Sequence, residues 1–179
     1  MRMATVTKQW TLEEVHSLPD DGTKYELVRG ELFVTPPPTD PHETIAARLT
    51  RLLDPYVEQH GLGFVYRPRA VMRFQGSEVE PDLMVRAART NAGASWDDAP
   101  TPILIVEILS GSTRRRDQVQ KRSLYMDAGV ADYWMVDPER RVVTVVRPEQ
   151  DDIVARDEVT WSPAGTPPSL SFSVARVFE

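Results

Sequence analysis

Apolar positions along the chain switch between the helical and the strand period, and that switching predicts a mixed α/β domain. Over residues 42–60, apolar side chains recur every three or four positions, as in an amphipathic helix. Pro55 is expected to kink or divide this helix, and Gly61 to end it. A second stripe of the same period runs over residues 114–128 and closes at Gly129. Both helices should therefore pack one face against a sheet.

The predicted strands are short and rich in β-branched residues. Residues 103–109 form an apolar run with one acid inside it, Glu107, which is typical of a strand buried on both faces. The segments 63–74 and 79–85, joined around Gln75-Gly76-Ser77, are the expected hairpin of the central sheet. A ribbon near the N-terminus and strands later in the chain complete the pattern: 25–29, 31–35, 132–136, 141–147 and short pieces within 153–178.

This order of elements predicts one α/β domain over residues 1–179. A central mixed sheet would carry helices on both faces, with the N-terminal β-ribbon as an extension. A short helix over residues 11–18 opens with the capping-box sequence Thr11-Leu12-Glu13-Glu14. Residues 87–102 form a polar loop that is long for a compact domain, which favours a functional role for it.

Composition narrows the class of protein. Of the 179 residues, 41% are hydrophobic and 27% charged, the balance of a globular protein. No apolar stretch approaches the roughly 18 residues that span a bilayer, and the first nine residues lack the apolar core of a secretory signal. The chain has no cysteine, which excludes disulfides and thiolate chemistry and predicts a cytoplasmic location. The net charge of −6 counts against a simple nucleic-acid binder, although basic residues cluster locally.

The acid inside the buried run points to the chemistry. Burying an unpaired carboxylate is costly, so a cation or a hydrogen-bond donor must meet Glu107. Asp82 lies in similar apolar company, and if the two strands are neighbours the two acids repel unless a cation lies between them. Mg²⁺ prefers such oxygen ligands, and Lys121 falls on the core-facing stripe of the following helix. In the structural alternative, Glu107 pairs with a buried arginine and Lys121 pairs with Asp117.

An ordered string of motifs accompanies these residues. It comprises Tyr25-Glu26-Leu27, Gly30-Glu31-Leu32, Pro41-His42, Pro81-Asp82, Val106-Glu107-Ile108-Leu109-Ser110, Ser112-Thr113-Arg114-Arg115-Arg116-Asp117, Lys121, Tyr125, Gly129-Val130 and Tyr133-Trp134-Met135-Val136-Asp137-Pro138. Over residues 9–150, these motifs resemble the Uma-two family, a large bacterial group of restriction-endonuclease-like proteins. The resemblance implies a PD-(D/E)xK nuclease core with Asp82 and Glu107 as ligands of Mg²⁺ or Mn²⁺.

The chain departs from the wider nuclease superfamily at one position. The lysine usually found two residues after the glutamate is replaced by Leu109, which cannot do its chemistry. The family resemblance implies that Lys121 has taken over this role, and its long, flexible side chain can reach the acids from the helix. On this hypothesis, Asp82, Glu107 and Lys121 are the catalytic residues.

Further residues are candidates for accessory roles. Those near the metal are acids or stand at the start of a helix: Glu31, His42, Glu43 and Asp117. Glu31 would extend the outer shell of the metal or hold Lys121, and is otherwise a solubilising charge on an edge strand. Helix capping is the alternative role for the pair that heads the long helix. Three consecutive arginines would suit phosphate contacts, and otherwise form a solvated surface: Arg114, Arg115 and Arg116.

The first functional hypothesis is therefore a Mg²⁺-dependent DNA endonuclease, in which a metal-activated water oriented by Lys121 attacks a phosphodiester. The alternative is a nuclease-fold binding or regulatory protein without useful turnover. A third and weaker interpretation is a metal-dependent hydrolase acting on something other than nucleic acid. Because cutting a duplex needs two strand breaks, a homodimer is expected for the first hypothesis.

Overall fold

The predicted alternation of helices and strands is present in the computed structural model, which describes residues 8–88, 95–163, 166 and 168–179. In chain order the elements are α1 (Leu12–His16), β1 (Lys24–Val28), β2 (Glu31–Thr35), α2 (Asp40–Gln59), β3 (Phe64–Tyr66), β4 (Met72–Phe74), β5 (Ser77–Val79), β6 (Leu83–Arg86), a 3₁₀ turn (Trp96–Asp98), β7 (Leu104–Ile108), a π-helical segment (Arg116–Lys121) that continues into α3 (Arg122–Asp127), β8 (Asp132–Asp137), β9 (Val142–Val146), β10 (Ile153–Ala155), β11 (Glu158–Trp161), β12 (Leu170–Ser173) and α4 (Ala175–Phe178).

A six-stranded mixed sheet with the order β10-β9-β8-β7-β6-β3 forms the centre of the fold. Its strands β7 and β8 are parallel, and its other neighbouring pairs are antiparallel. The run containing Glu107 is β7, which lies in the interior of the sheet between β6 and β8 and is buried along its whole length. The predicted buried strand is thus confirmed.

Helices cover both faces of this sheet, as predicted. On one face the apolar stripe of α2 packs against side chains such as Leu83, Val106 and Trp134. On the other face, α3 packs Leu124 and Tyr125 against the alternate residues of the same strands. The period-two alternation of β6, β7 and β8 therefore divides their side chains between two separate cores.

One pairing prediction is wrong. The hairpin around Gln75-Gly76-Ser77 joins β4 to β5, and these strands belong to a second, four-stranded antiparallel sheet of order β2-β1-β5-β4. The central sheet receives only the two outer parts of the predicted segments, β3 and β6. Prolines mark both interruptions, Pro68 after β3 and Pro81 before β6, and a proline cannot donate to a strand ladder.

The long helix α2 begins slightly earlier than predicted, at Asp40, with Pro41 in its first turn. It is not divided at Pro55, because its apolar stripe remains buried on both sides of that residue, with Leu53 before it and Tyr56 after it. Helix α1 has the predicted capping box. The predicted loop 87–102 and the tail prolines fall partly outside the described residues, at 89–94 and 167.

Candidate active site

Asp82 and Glu107 lie opposite each other at one end of the central sheet. Strands β6 and β7 are antiparallel with Leu83 paired to Val106, so Asp82, the residue before β6, faces Glu107 across the ladder. The backbone N–H of Ile108 donates to Asp82 Oδ2 over 2.7 Å. Both acids line one cleft of about 960 Å³. The structure therefore brings together the two acids that the sequence singled out.

Glu107 is held from behind, on the side away from the cleft. Its Oε1 accepts hydrogen bonds from Lys121 Nζ at 2.8 Å and from the hydroxyl of Tyr125 at 2.6 Å. Lys121 is 0% exposed, and it is absent from the lining of the cleft. The predicted reach from the helix to Glu107 is thus present, but in this arrangement the ammonium acts on the carboxylate and does not face the cleft.

The second partner of this lysine is Glu26, whose Oε1 lies 2.7 Å from Lys121 Nζ. Glu26 is completely buried in β1, where its carboxylate also accepts from the backbone N–H of Glu80 at 2.9 Å and lies 3.3 Å from the guanidinium of Arg116. Glu26 is part of the motif Tyr25-Glu26-Leu27, but the sequence analysis predicted no role for it. Its signal was present, because it stands among buried apolar residues of β1, as Glu107 does in β7.

The two glutamates differ in their surroundings, and their pKa values move in opposite directions. Burial raises the pKa of Glu107 to about 7 against the opposing effect of Lys121, and three nearby carboxylates add to the rise by repulsion. Burial also acts to raise the pKa of Glu26, but Lys121, Lys24 and Arg116 together hold it below its ordinary value. The cations are gathered around Glu26, so Glu107 is left as the acid whose charge is less well compensated.

His42 contributes to the same end of the cleft. Its Nε2 lies 3.1 Å from Asp82 Oδ2, and its Nδ1 lies 3.5 Å from the carboxylate of Glu43. Burial opposes the charged form of this imidazole, yet Asp82 and Glu43 raise the pKa of His42 above its ordinary value. The same contact helps to hold the pKa of Asp82 low despite its burial. His42 therefore belongs to the site, while Glu43 is a half-exposed residue at its rim.

Asp117 is another buried acid of the cleft lining, together with Glu80, Asp82 and Glu107. Its Oδ1 lies 3.8 Å from Lys121 Nζ and is buried without a hydrogen-bond partner among the described residues. Burial raises the pKa of Asp117 above its ordinary value. The segment that carries both residues is π-helical, a form that often marks functional sites.

Glu31 is not brought to this cluster. It is exposed on β2 and accepts a hydrogen bond from Gln120 at 2.8 Å, on the wall of a smaller cleft that adjoins the main one. The expectation that Glu31 holds Lys121 is wrong, because Glu26 occupies that position. Position along the ribbon explains the difference, since the register of β1 and β2 pairs Val28 with Glu31 next to the turn and Glu26 with Phe33, deeper in the sheet on the same face.

The three consecutive arginines have different environments. Arg114 donates to Asp137 and Glu139, and Arg116 is buried against Glu26. Only Arg115 of the three is exposed, on the wall of the smaller cleft. Arg115 is therefore the member of this run whose side chain is exposed at the surface.

The donor chemistry of the main cleft fits a hard divalent cation. Among the described residues no group of three or more histidine or acidic side chains is arranged to hold a metal ion. Asp82 and Glu107 nonetheless present two carboxylates at one point of the lining. Mg²⁺ is often held by one or two carboxylates, with water and substrate oxygens completing its shell. The residues that would hold the ion are Asp82 and Glu107.

Comparison with known proteins identifies the family and the fold of this chain. The model of the family Uma2, described as "Putative restriction endonuclease", matches residues 12–175. A crystal structure from Anabaena variabilis ATCC 29413, titled as a putative nuclease belonging to DUF820, superposes with a TM-score of 0.76 at 19% identity, over 94% of this chain and 97% of that one. That likeness establishes a restriction-endonuclease-like fold. No curated protein matches. Among the described residues, no helix is both long and apolar enough to cross a bilayer.

Proposed function

The chain belongs to the Uma2 family of restriction-endonuclease-like proteins, and from that premise we propose that it is a divalent-metal-dependent DNA endonuclease. One observation carries the proposal. Asp82 and Glu107 face each other at the floor of a cleft, and a buried lysine lies behind Glu107, 2.8 Å from its carboxylate. Two acids of this kind repel each other unless a cation lies between them.

Mg²⁺ or Mn²⁺, when bound, would supply charge neutralisation at the phosphate and an acidified water. Asp82 presents its carboxylate in a fixed direction, because Ile108 N–H and His42 both contact Oδ2. Tyr125 and Lys121 do the same for Glu107 through Oε1. Each acid therefore keeps its second oxygen outside these contacts, and the pair is pre-oriented for a ligand in the cleft.

The proposed reaction is hydrolysis of a phosphodiester. The oxygen of a water molecule bonds to phosphorus, and the bond from phosphorus to one ester oxygen breaks. The water loses a proton and the leaving oxygen gains one, so the products are a phosphate monoester and an alcohol. Lys121 serves this reaction as a positioning residue, since it orients Glu107 and offsets part of the charge of the buried acids.

DNA is the proposed partner. The protein would act as a homodimer, because cleavage of a duplex needs two strand breaks, and it would do so in the cytoplasm. A chain of net charge −6 cannot attract a polyanion through its overall field. Local cations must do so. Arg67 and Arg69 line the cleft with side chains that are at least half exposed, each 4.0 Å from one glutamate, and Arg115 is exposed on the neighbouring cleft. These side chains support a phosphate path across the mouth of the site.

Plasmid nicking tests the proposal. Purified protein with Mg²⁺ or Mn²⁺ should convert supercoiled plasmid to open circles, and chelation should stop it. Asp82→Asn and Glu107→Gln should each lose the activity, while Glu31→Gln, an acid that lies on the smaller cleft, should retain it. Failure of the wild-type protein to nick with either ion on varied duplexes, under conditions where it is folded, would contradict the proposal.

A nuclease fold that binds nucleic acid without turnover is the second candidate. It is favoured by the lack of a three-ligand group among the described residues and by the enclosure of Lys121. On this alternative, duplex binding would occur in Ca²⁺, while Mg²⁺ and Mn²⁺ would support no nicking. Equal binding by wild-type protein and Asp82→Asn would favour it further.

A further inference from the structure

The chain has only three lysines, Lys8, Lys24 and Lys121, and their placements differ. Lys8 lies over the ring of Trp10 and pairs with Glu14, away from the cleft lining. Lys121 is enclosed behind Glu107. Lys24 is the one lysine whose side chain lines the cleft. Any role that needs an ammonium inside the cleft therefore falls to Lys24.

The geometry of Lys24 suits such a role. It opens β1, two residues before Glu26 on the same face of the strand. Its Nζ donates to the backbone carbonyl of Glu80 at 2.6 Å and lies 3.7 Å from Glu26 Oε1. Glu80 is two residues before Asp82, so the ammonium is anchored beside the segment that presents this acid. The side chain is 19% exposed, against 0% for Lys121.

The Lys24 ammonium has N–H donors that are not used in hydrogen bonds within the described part of the protein. An ammonium has three N–H donors. The carbonyl of Glu80 takes one at 2.6 Å, and Glu26 at 3.7 Å is beyond a good hydrogen bond. Lys121, by contrast, has two short bonds to buried carboxylates and a third acid, Asp117, at 3.8 Å. A phosphate oxygen in the cleft can be met by Lys24 without breaking a buried ion pair.

We propose that Lys24 is the cationic residue that contacts the phosphate to be cleaved, and that Lys121 only positions Glu107. The inference rests on the proposed nuclease function, and it assigns to Lys24 the cation that contacts the phosphate in that reaction. In transition-state terms, the Lys24 ammonium hydrogen-bonds a non-bridging phosphate oxygen and offsets the charge that builds there. The cleft-lining arginines do not fill this position, because Arg116 is buried against Glu26, and Arg67 and Arg69 are rim residues.

Amine labelling tests the placement independently of activity. Reductive methylation followed by peptide mass spectrometry should modify Lys8 and Lys24 in the folded protein and leave Lys121 unmodified. A short duplex with Ca²⁺, which is used here as a cation that does not support cleavage, should slow labelling of Lys24 at least several-fold and leave Lys8 unchanged. Unaltered labelling of Lys24 in the presence of bound duplex would overturn the proposal.

Variants test the role. Lys24→Met keeps the apolar length of the side chain, and it should lose about 10²- to 10⁴-fold in the nicking rate, the range of electrostatic and acid–base contributions. It should still bind Mn²⁺ in titration calorimetry, which a collapsed site would not do. Lys24→Arg, which keeps a cation at the position, should recover part of the rate. Lys8→Met is the matched control and should nick like the wild type.

The outcomes separate two failures. If the wild-type protein nicks and Lys24→Met nicks at the same rate, the assignment of Lys24 is wrong while the nuclease proposal stands. If the wild-type protein does not nick at all, the nuclease proposal fails, and the assignment fails with it. If Lys24→Met does not fold, the labelling experiment on the wild-type protein decides.

Discussion

At the scale of single residues, the site depends on how one ammonium is shared between two buried glutamates. Lys121 lies within 2.8 Å of both Glu26 and Glu107. Lys24 and Arg116 also lie close to Glu26, so the charge of Glu107 is less well compensated than that of Glu26. Glu107 is therefore the acid expected to hold a proton near neutral pH when no metal ion is bound.

A pH dependence of stability follows for Glu107. Its pKa in the folded protein is about 7, raised from an ordinary value of 4.5. The folded state therefore binds this proton more tightly than the unfolded chain, and the resulting stabilisation is fully present below pH 4.5 and lost as the pH rises through 7. The melting temperature of the metal-free protein should fall between about pH 4.5 and 7 and level off above that range. The Glu107→Gln variant should show a smaller fall, because the contributions of other groups whose pKa values are raised, such as His42 and Asp117, remain. An equal fall in the variant would contradict the assignment.

Removing Lys121 should cost stability as well as activity. Lys121→Met leaves Glu26 and Glu107 without their shared cation, and breaking a buried pair in this way typically costs about 3–5 kcal/mol. Urea unfolding measures the loss. Arg122→Met is a matched control on the next residue, where a partly exposed pair with Asp152 is worth about 1 kcal/mol or less. Similar losses in both variants would show that the buried pair has no special role.

An acid of the candidate site could be identified from the sequence only where the residues around it are apolar enough to indicate that it is buried. Glu107 stands in an apolar run and Asp82 follows a proline beside one, so both were identified. Glu26 carries a weaker form of the same signal, in a five-residue strand, and was missed as a site residue. Contacts between distant elements, such as the hydrogen bond from Lys24 to Glu80, 56 positions apart, have no local sequence pattern.

At the scale of elements, helices and buried strands were predicted correctly where their period extends over several turns or residues. The stripe of α2 and the apolar run of β7 are examples. The sheet to which each strand belongs was not predictable. Apolar and polar side chains alternate along β4 and β5 as they would in a hairpin of the central sheet, yet these strands pair with the N-terminal ribbon. The π-helical form of Arg116–Lys121 also has no periodic signal in the sequence, and the ion pairs of its two end residues with Glu26 and Glu107 join elements that are distant along the chain.

Helix α2 offers a test at this scale. Pro55 lies inside the helix on its exposed face, where it removes one backbone hydrogen bond and contributes no buried packing. Pro55→Ala should therefore raise the free energy of unfolding, by about 1–3 kcal/mol on the scale of helix propensities. Asp54→Ala, which changes a neighbouring exposed side chain without restoring a backbone donor, is the control. Unchanged or reduced stability in Pro55→Ala would show that the helix is already adapted to the proline.

At the scale of the whole molecule, a negative net charge is combined with a local set of arginines at the cleft. Of the 179 residues, 27 are Asp or Glu and 21 are Lys or Arg. Several of the basic side chains form ion pairs within the protein, as Arg114 does with Asp137 and Arg116 does with Glu26. Attraction of a nucleic acid must then come from a few exposed cations and should be short in range.

Salt dependence of DNA binding tests this view. The affinity for a duplex in Ca²⁺ should fall steeply as salt is raised, because each neutralised phosphate releases counterions. Arg115→Ala should weaken binding and reduce the slope of log affinity against log salt by about 1. Arg140→Ala, which removes another exposed arginine that lies outside both clefts, is the control and should leave the slope unchanged. Binding that is insensitive to salt would contradict a phosphate path at the cleft.

The most direct test of the account is titration calorimetry of the metal-free protein with Mn²⁺ at pH 8, where Glu107 is ionised. If Asp82 and Glu107 together hold a divalent cation, the wild-type protein should show saturable binding, Asp82→Asn should show none, and Glu31→Gln should bind as the wild type does. No binding by the wild-type protein at millimolar Mn²⁺, or undiminished binding by Asp82→Asn, would contradict the metal site on which the proposed function depends.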